Sequence, residues 1–115
     1  MASTSVRMIL NWSVPCDESQ PSVSALQALM LARRTEPGCA GCWLFTDANS
    51  LSEVTIRYIE EWTSEEHLSV QLRSGHLAAL AELMERASEM PNVKFVLPQS
   101  IRGMDYADEV LSSAG

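Results

Sequence analysis

Basic residues are scarce in this chain of 115 residues. Eight Lys and Arg stand against fifteen Asp and Glu, for a formal charge of −7 and a pI near 4.7. That shortage argues against a protein whose main work is to coat DNA or RNA, because neutralising phosphates needs concentrated cationic side chains. It equally argues against docking on an anionic membrane. Long apolar runs are missing as well: none approaches the roughly 18 residues that a membrane-spanning helix needs. The opening residues, Met1-Ala2-Ser3-Thr4-Ser5-Val6-Arg7, lack the apolar block of a secretion signal, so a cytoplasmic location is expected. Cysteine is confined to Cys16, Cys39 and Cys42, and an odd number without an export signal reads as reduced thiols. Internal repeats and low-complexity segments are also lacking. What remains is 46% hydrophobic and 20% charged, the composition of an ordinary folded chain. The length suits one domain over residues 1–115, with a core of about 6–100 and a tail of 101–115.

Hydrophobic periodicity divides that core. Val6, Met8, Leu10, Trp12 and Val14 alternate with Arg7, Ile9, Asn11 and Ser13, a strand with one apolar and one mixed face. Val23, Leu26, Leu29, Met30 and Arg33 follow helical spacing and predict a helix from about Pro21 to Arg34, since Pro is favoured at a first helical position. Glu36-Pro37-Gly38 ends it. Cys39 to Thr46 is rich in strand formers, Asp47-Ala48-Asn49-Ser50 reads as a turn, and Val54 to Trp62 alternates again; together they suggest an antiparallel hairpin. Thr63-Ser64-Glu65-Glu66 matches a capping box that starts a second helix after Trp62. Ser74-Gly75 interrupts it, and a further helical piece runs from His76 to Ser88, stopped by Pro91. Val93, Phe95 and Leu97 mark a final strand.

The order β-α-β-β-α-β predicts an α+β, ferredoxin-like fold with one antiparallel sheet and helices on one face. Ile9 and Ile59 make the other sheet face partly apolar, so a second copy of the chain is expected to cover it as a homodimer. The tail, with Val110 and Leu111, remains open as a strand extension, a short helix or an arm to the partner.

Three stretches carry a resemblance: Pro37-Gly38-Cys39 leading into the second strand, Glu61-Trp62-Thr63-Ser64-Glu65-Glu66-His67-Leu68 closing the third, and Ser74-Gly75-His76-Leu77 opening a helix. In this order they resemble the antibiotic biosynthesis monooxygenase family over about residues 6–100. The resemblance implies a dimeric α/β barrel. It implies an enzyme that oxygenates a quinol-like aromatic molecule with O2 and without metal, haem or flavin. Trp62 matches the family Trp, His76 the second His of the helix pattern, and Asn11 lies near a functional Asn of some members. The family often has a His nine residues after the Trp, where this chain has Gln71, and a haem-degrading branch needs a helix His about one residue further along, where it has Leu72; neither Gln nor Leu serves as a proximal iron ligand. Haem degradation is therefore disfavoured.

Oxygenation without a cofactor needs a substrate that supplies its own electrons, a group to take its phenolic proton, and a dry pocket with polar donors. The residue types are present: Trp62 and Tyr58 as substrate-binding walls on one strand face, Asn11 as an amide donor, and His76 as the catalytic base. At a helix start the positive end of the dipole favours the neutral, base-competent imidazole. Each residue also has a plainer role: Trp62 in the core, Asn11 in a structural hydrogen bond, His76 as a cap. A non-catalytic module that binds a small aromatic molecule, and a purely structural dimer with its pocket filled by Trp12 and Trp43, therefore stay open. Arg57 and Glu61 are expected to form an ion pair across the dimer. His67 flanks the helix stripe and reads as exposed. Cys39-Ala40-Gly41-Cys42 enters a strand, where residues three apart face opposite sides, so it reads as two small buried cysteines. With no second pair and no nearby His, no metal site is expected.

Overall fold

A computed structural model describes residues 4–48 and 50–112. Residues 1–3, 49 and 113–115 lie outside the described residues; they include the beginning of the N-terminal segment, Asn49 of the expected turn and the end of the tail. The elements run in the order β1 (Val6–Pro15), α1 (Cys16–Arg34), β2 (Cys39–Ala48), β3 (Glu53–Trp62), α2 (Glu65–Arg73), α3 (His76–Met84), β4 (Asn92–Val96), β5 (Ile101–Arg102) and α4 (Met104–Ser112). The strands form one sheet in the order β2-β3-β1-β4-β5, every pairing antiparallel. This is the ferredoxin-like α+β arrangement, with β5 and α4 added after its last strand.

Strand alternation sets the core. Val6, Met8, Leu10, Trp12 and Val14 of β1 point to the helical side with Ile56, Tyr58, Glu60 and Trp62 of β3, Cys42 of β2 and Phe95 of β4, and all are buried. Leu26 and Met30 of α1, Leu68 and Leu72 of α2, and Leu77, Leu80 and Met84 of α3 close over them. Burying each such aliphatic side chain is worth roughly 1.5–3 kcal/mol. No helix among the described residues is long and apolar enough to cross a membrane.

Several boundaries differ from the sequence reading. Helix α1 begins at Cys16, so Pro21 lies inside it rather than at its first position. Pro21 removes one backbone donor near the helix start, while Asp17 and Glu18 in the first turn favour the early start through the helix dipole. Helix α2 is capped by Ser64, whose side chain accepts from the His67 backbone N–H; the cap lies one residue beyond Thr63. The described tail turns back on its own chain. Tyr106, Ala107 and Val110 enter the core, the Tyr106 ring lies 5.1 Å from that of Phe95, and the Tyr106 hydroxyl donates to Glu65 at 3.0 Å.

The opposite sheet face carries Arg7, Ile9, Asn11, Arg57, Ile59 and Glu61 with Trp43 and Phe45. Glu61 pairs with Arg7 of the same chain at 2.7 Å, which replaces the expected partnership with Arg57. Trp43 folds over Gly41, where a Cβ would meet the indole at 2.6 Å. The Arg7 guanidinium sits 5.9 Å from the Trp43 ring centroid.

Candidate functional site

Glu60 is the residue around which the site is built. It is fully buried beneath the helices because it shares the inward face of β3 with Ile56, Tyr58 and Trp62. A carboxylate taken out of water needs hydrogen-bond partners, and its neighbours supply them. The Tyr58 hydroxyl donates to Oε2 at 2.5 Å, Trp62 Nε1–H donates to Oε1 at 3.1 Å, and His76 Nε2 meets Oε2. Two donors come from β3 itself, two residues before and two after the carboxylate. The third partner, the His76 ring, comes from the first residue of α3. Gly75, at φ +90°, turns the chain between α2 and α3 and so delivers His76 to Glu60. His76 Nδ1 is buried and has no hydrogen-bond partner.

The cluster continues to Cys42 on β2. Its thiol is within hydrogen-bonding reach of Tyr58, and burial together with the Glu60 charge pushes it up to about 12 from its ordinary 9.0. Burial, with the neighbouring Glu60 carboxylate, drives the Tyr58 hydroxyl well above its ordinary value too. Both groups are neutral at physiological pH. They can pass a proton along a chain but do not act as anions.

Cys42 also forms part of a groove of about 580 Å³ between α1 and β2, lined by Gln27, Met30, Leu31 and Arg34 on one side and Cys42, Trp43, Leu44 and Phe45 on the other. That volume is within the range of small-molecule sites. Its walls are aliphatic and aromatic, with one amide and one guanidinium as polar groups. The structure therefore sets a surface groove, through Cys42, beside a buried hydrogen-bonded cluster of Tyr58, Glu60, His76 and Trp62.

Of the residues singled out in sequence, Tyr58, Trp62 and His76 come together. Tyr58 and Trp62 are fully buried, and neither lines the groove. Asn11 is not brought to them: its Cα partners are Arg57 and Asn92, so strand alternation turns its side chain to the opposite sheet face. Gln71 is buried and accepts from Arg33 of α1 at 2.6 Å. His67 is half-buried against Gly38, with Nδ1 2.8 Å from the Ser64 hydroxyl. Neither residue lines the groove. Glu60, Cys42, Gln27 and Arg34 were not singled out as site residues. For Glu60 a signal exists in the alternation, which sets a carboxylate among Ile56, Tyr58 and Trp62. The groove depends on how α1 lies along the edge of the sheet, and no local motif encodes that.

The two cysteines of β2 also differ from expectation. A bulge between Cys39 and Gly41 shifts the register and brings the two sulfurs to 3.8 Å, whereas a regular strand would set them on opposite faces. Among the described residues, no group of three or more His, Cys, Asp or Glu gathers as a metal site.

A scan against protein-family models gives no match, and a search of curated proteins gives none. Solved structures do match. A conserved protein from Methanosarcina mazei superposes with a TM-score of 0.68 at 18% identity, over 84% of this chain and 94% of that one. SnoaB from Streptomyces nogalater, a cofactor-independent oxygenase, gives 0.64 at 13% identity, over 85% and 96%. A structure described as an antibiotic biosynthesis monooxygenase gives 0.63 at 17% identity, over 79% and 95%. The chain has the fold of the antibiotic biosynthesis monooxygenases.

Proposed function

We propose that this protein is a homodimeric monooxygenase that oxidises a quinol-like aromatic molecule with O2, the substrate lying in the groove between α1 and β2. The observation that carries the reading is the hydrogen-bonded cluster of Tyr58, Glu60 and His76 in the core, with Cys42 standing between it and the groove as the neighbour of Tyr58. The shared fold supports it, since one protein with this fold is a cofactor-independent oxygenase.

A phenol becomes an electron donor to O2 when its proton is removed. Arg34 at the groove offers a positive charge to the phenolate that results. The departing proton is handed to the Cys42 sulfur as the thiol proton moves to Tyr58 and the Tyr58 proton to Glu60. The Glu60–His76 pair is the end of this path and the proton's resting place. Trp62 holds the carboxylate in position through Oε1. Tyr58, Glu60, Trp62 and His76 thus act on the substrate through Cys42 rather than by touching it.

Oxygen uptake tests the reading. A panel of anthrone-like and naphthoquinol compounds should be consumed above the background rate. Tyr58→Phe, which interrupts the path without placing a new donor against Glu60, should lower kcat by about 10²-fold with little change in KM. Uptake at background across the panel would count against oxygenation. A second reading, capture of an aromatic molecule without turnover, is favoured by the aliphatic and aromatic walls of the groove, while the complete burial of Tyr58 and Trp62 away from it favours a purely structural role for those two residues. Capture without turnover expects saturable binding with no oxygen consumed.

A further inference from the structure

The bulge in β2 gives Cys39 and Cys42 a relationship that a regular strand forbids. Residues three apart on an unbroken strand point to opposite sides of the sheet. Here Cys39 pairs with Trp62 and Gly41 with Glu61, so Ala40 is the extra residue. The sulfurs consequently lie 3.8 Å apart. A disulfide needs about 2.05 Å between sulfurs, so closure requires the two to approach by less than the width of an atom. The segment that must adjust is adaptable, since Ala40 is exposed and Gly41 carries no side chain. Access is graded. Cys39 is half-buried, Cys42 is buried, and Cys16, at the start of α1, is exposed.

We propose that Cys39 and Cys42 form a dithiol–disulfide couple beside the groove, oxidised by a small-molecule disulfide of the glutathione class. The more exposed Cys39, as its thiolate, attacks one sulfur of the small disulfide and forms a mixed disulfide, releasing the first small thiol. Cys42, a thiol at rest, then gives up its proton as it attacks the Cys39 sulfur; the mixed bond breaks, the Cys39–Cys42 bond forms, and the departing small thiolate takes up that proton and leaves as the second small thiol. Two protein S–H bonds and one small-molecule S–S bond are lost, and one protein S–S bond forms. The two electrons and two protons leave with the two small thiols. Because Cys42 borders both the groove and Tyr58, oxidation removes the S–H group from the place where the groove meets the buried cluster. The couple itself stands independently of any oxygenase activity, since it rests on the two sulfurs alone.

The test equilibrates the full chain in glutathione buffers of graded oxidised-to-reduced ratio, quenches with acid, alkylates and maps the peptides by mass spectrometry. The peptide segment holding Cys39 and Cys42 should lose two hydrogens, and both cysteines should lose alkylation together as the ratio rises. Cys16 should instead exchange only between alkylated and glutathione-bound forms. In Cys42→Ser, oxidation should halt at a glutathione adduct on Cys39; in Cys39→Ser, Cys42 should stay unmodified in the folded protein. If the unsubstituted chain keeps both cysteines alkylated at every ratio, or accumulates an adduct on Cys39 that never resolves, the proposal is overturned.

Discussion

Glu60 shows how one residue can govern a site without touching its surface. Its carboxylate sits in the core and is held by Tyr58, Trp62 and His76, so removing any one partner leaves a buried polar group short of a bond, at a cost of about 1–3 kcal/mol. The alternation in β3 already assigns Glu60 to the apolar face; that His76 completes its set depends on the turn at Gly75, which brings together residues sixteen apart. Asn11 was legible as a strand residue, but its face separates it from His76. Titration offers a check on this cluster. Cys42 is raised from 9.0 to about 12 and Tyr58 is raised above its ordinary 10.0, with Tyr106 contributing in the same sense. The folded state keeps protons that the unfolded chain gives up, so stability falls as pH rises past the unfolded values. Denaturation midpoints should hold steady up to about pH 8, decline above about 9, and decline more steeply above about 10. Tyr58→Phe should flatten the steeper portion relative to its own neutral-pH value. An alkaline limb with the same slope in both proteins would contradict the burial of that hydroxyl against Glu60.

Among the elements, β2 departs furthest from its simple pattern. The sequence marks it as a strand and places a turn before it, yet the bulge at Ala40 arises from pairing with β3 and has no local signature. The turn itself is explicit in Pro37-Gly38. Gly38 has φ +84° and lies where a Cβ would collide with the His67 ring, whereas Gly75 has φ +90° with open space around it. These two glycines separate backbone strain from crowding. Gly75→Ala should cost about 1–3 kcal/mol from its left-handed backbone alone. Gly38→Ala should cost more, because the His67 side chain must also move. Urea denaturation of the two variants measures the difference, and equal losses would show that the His67 contact carries no weight. The early start of α1 and the shift of the α2 cap to Ser64 are of another kind. For each start two residues could serve, Cys16 or Pro21 for α1 and Thr63 or Ser64 for α2, and the packing of the whole helix decides between them.

For the whole molecule, the alternating strands and two helical stretches made the ferredoxin-like order legible before any coordinates. The addition of β5 and α4 was not, because Val110 and Leu111 alone do not say which core receives them. The sheet face away from the helices exposes Trp43 and Phe45 at 38% and 54% and surrounds Ile9 and Ile59 with charged neighbours. In the proposed dimer a second copy covers the apolar centre of that face. Light scattering at micromolar concentration should give the mass of a dimer, and Ile9→Lys, which sets a charge at the centre of the face, should give a monomer. A monomeric unsubstituted protein would contradict the proposed assembly. The location of the chemistry is the claim on which the function rests, and a crystal structure of the protein soaked with a hydroquinone examines it directly. The aromatic ring should lie between α1 and β2, with a hydroxyl directed at Cys42 and the Arg34 guanidinium beside it. Density for the ring on the opposite sheet face, near Asn11, or an empty groove at saturating hydroquinone, would contradict that location.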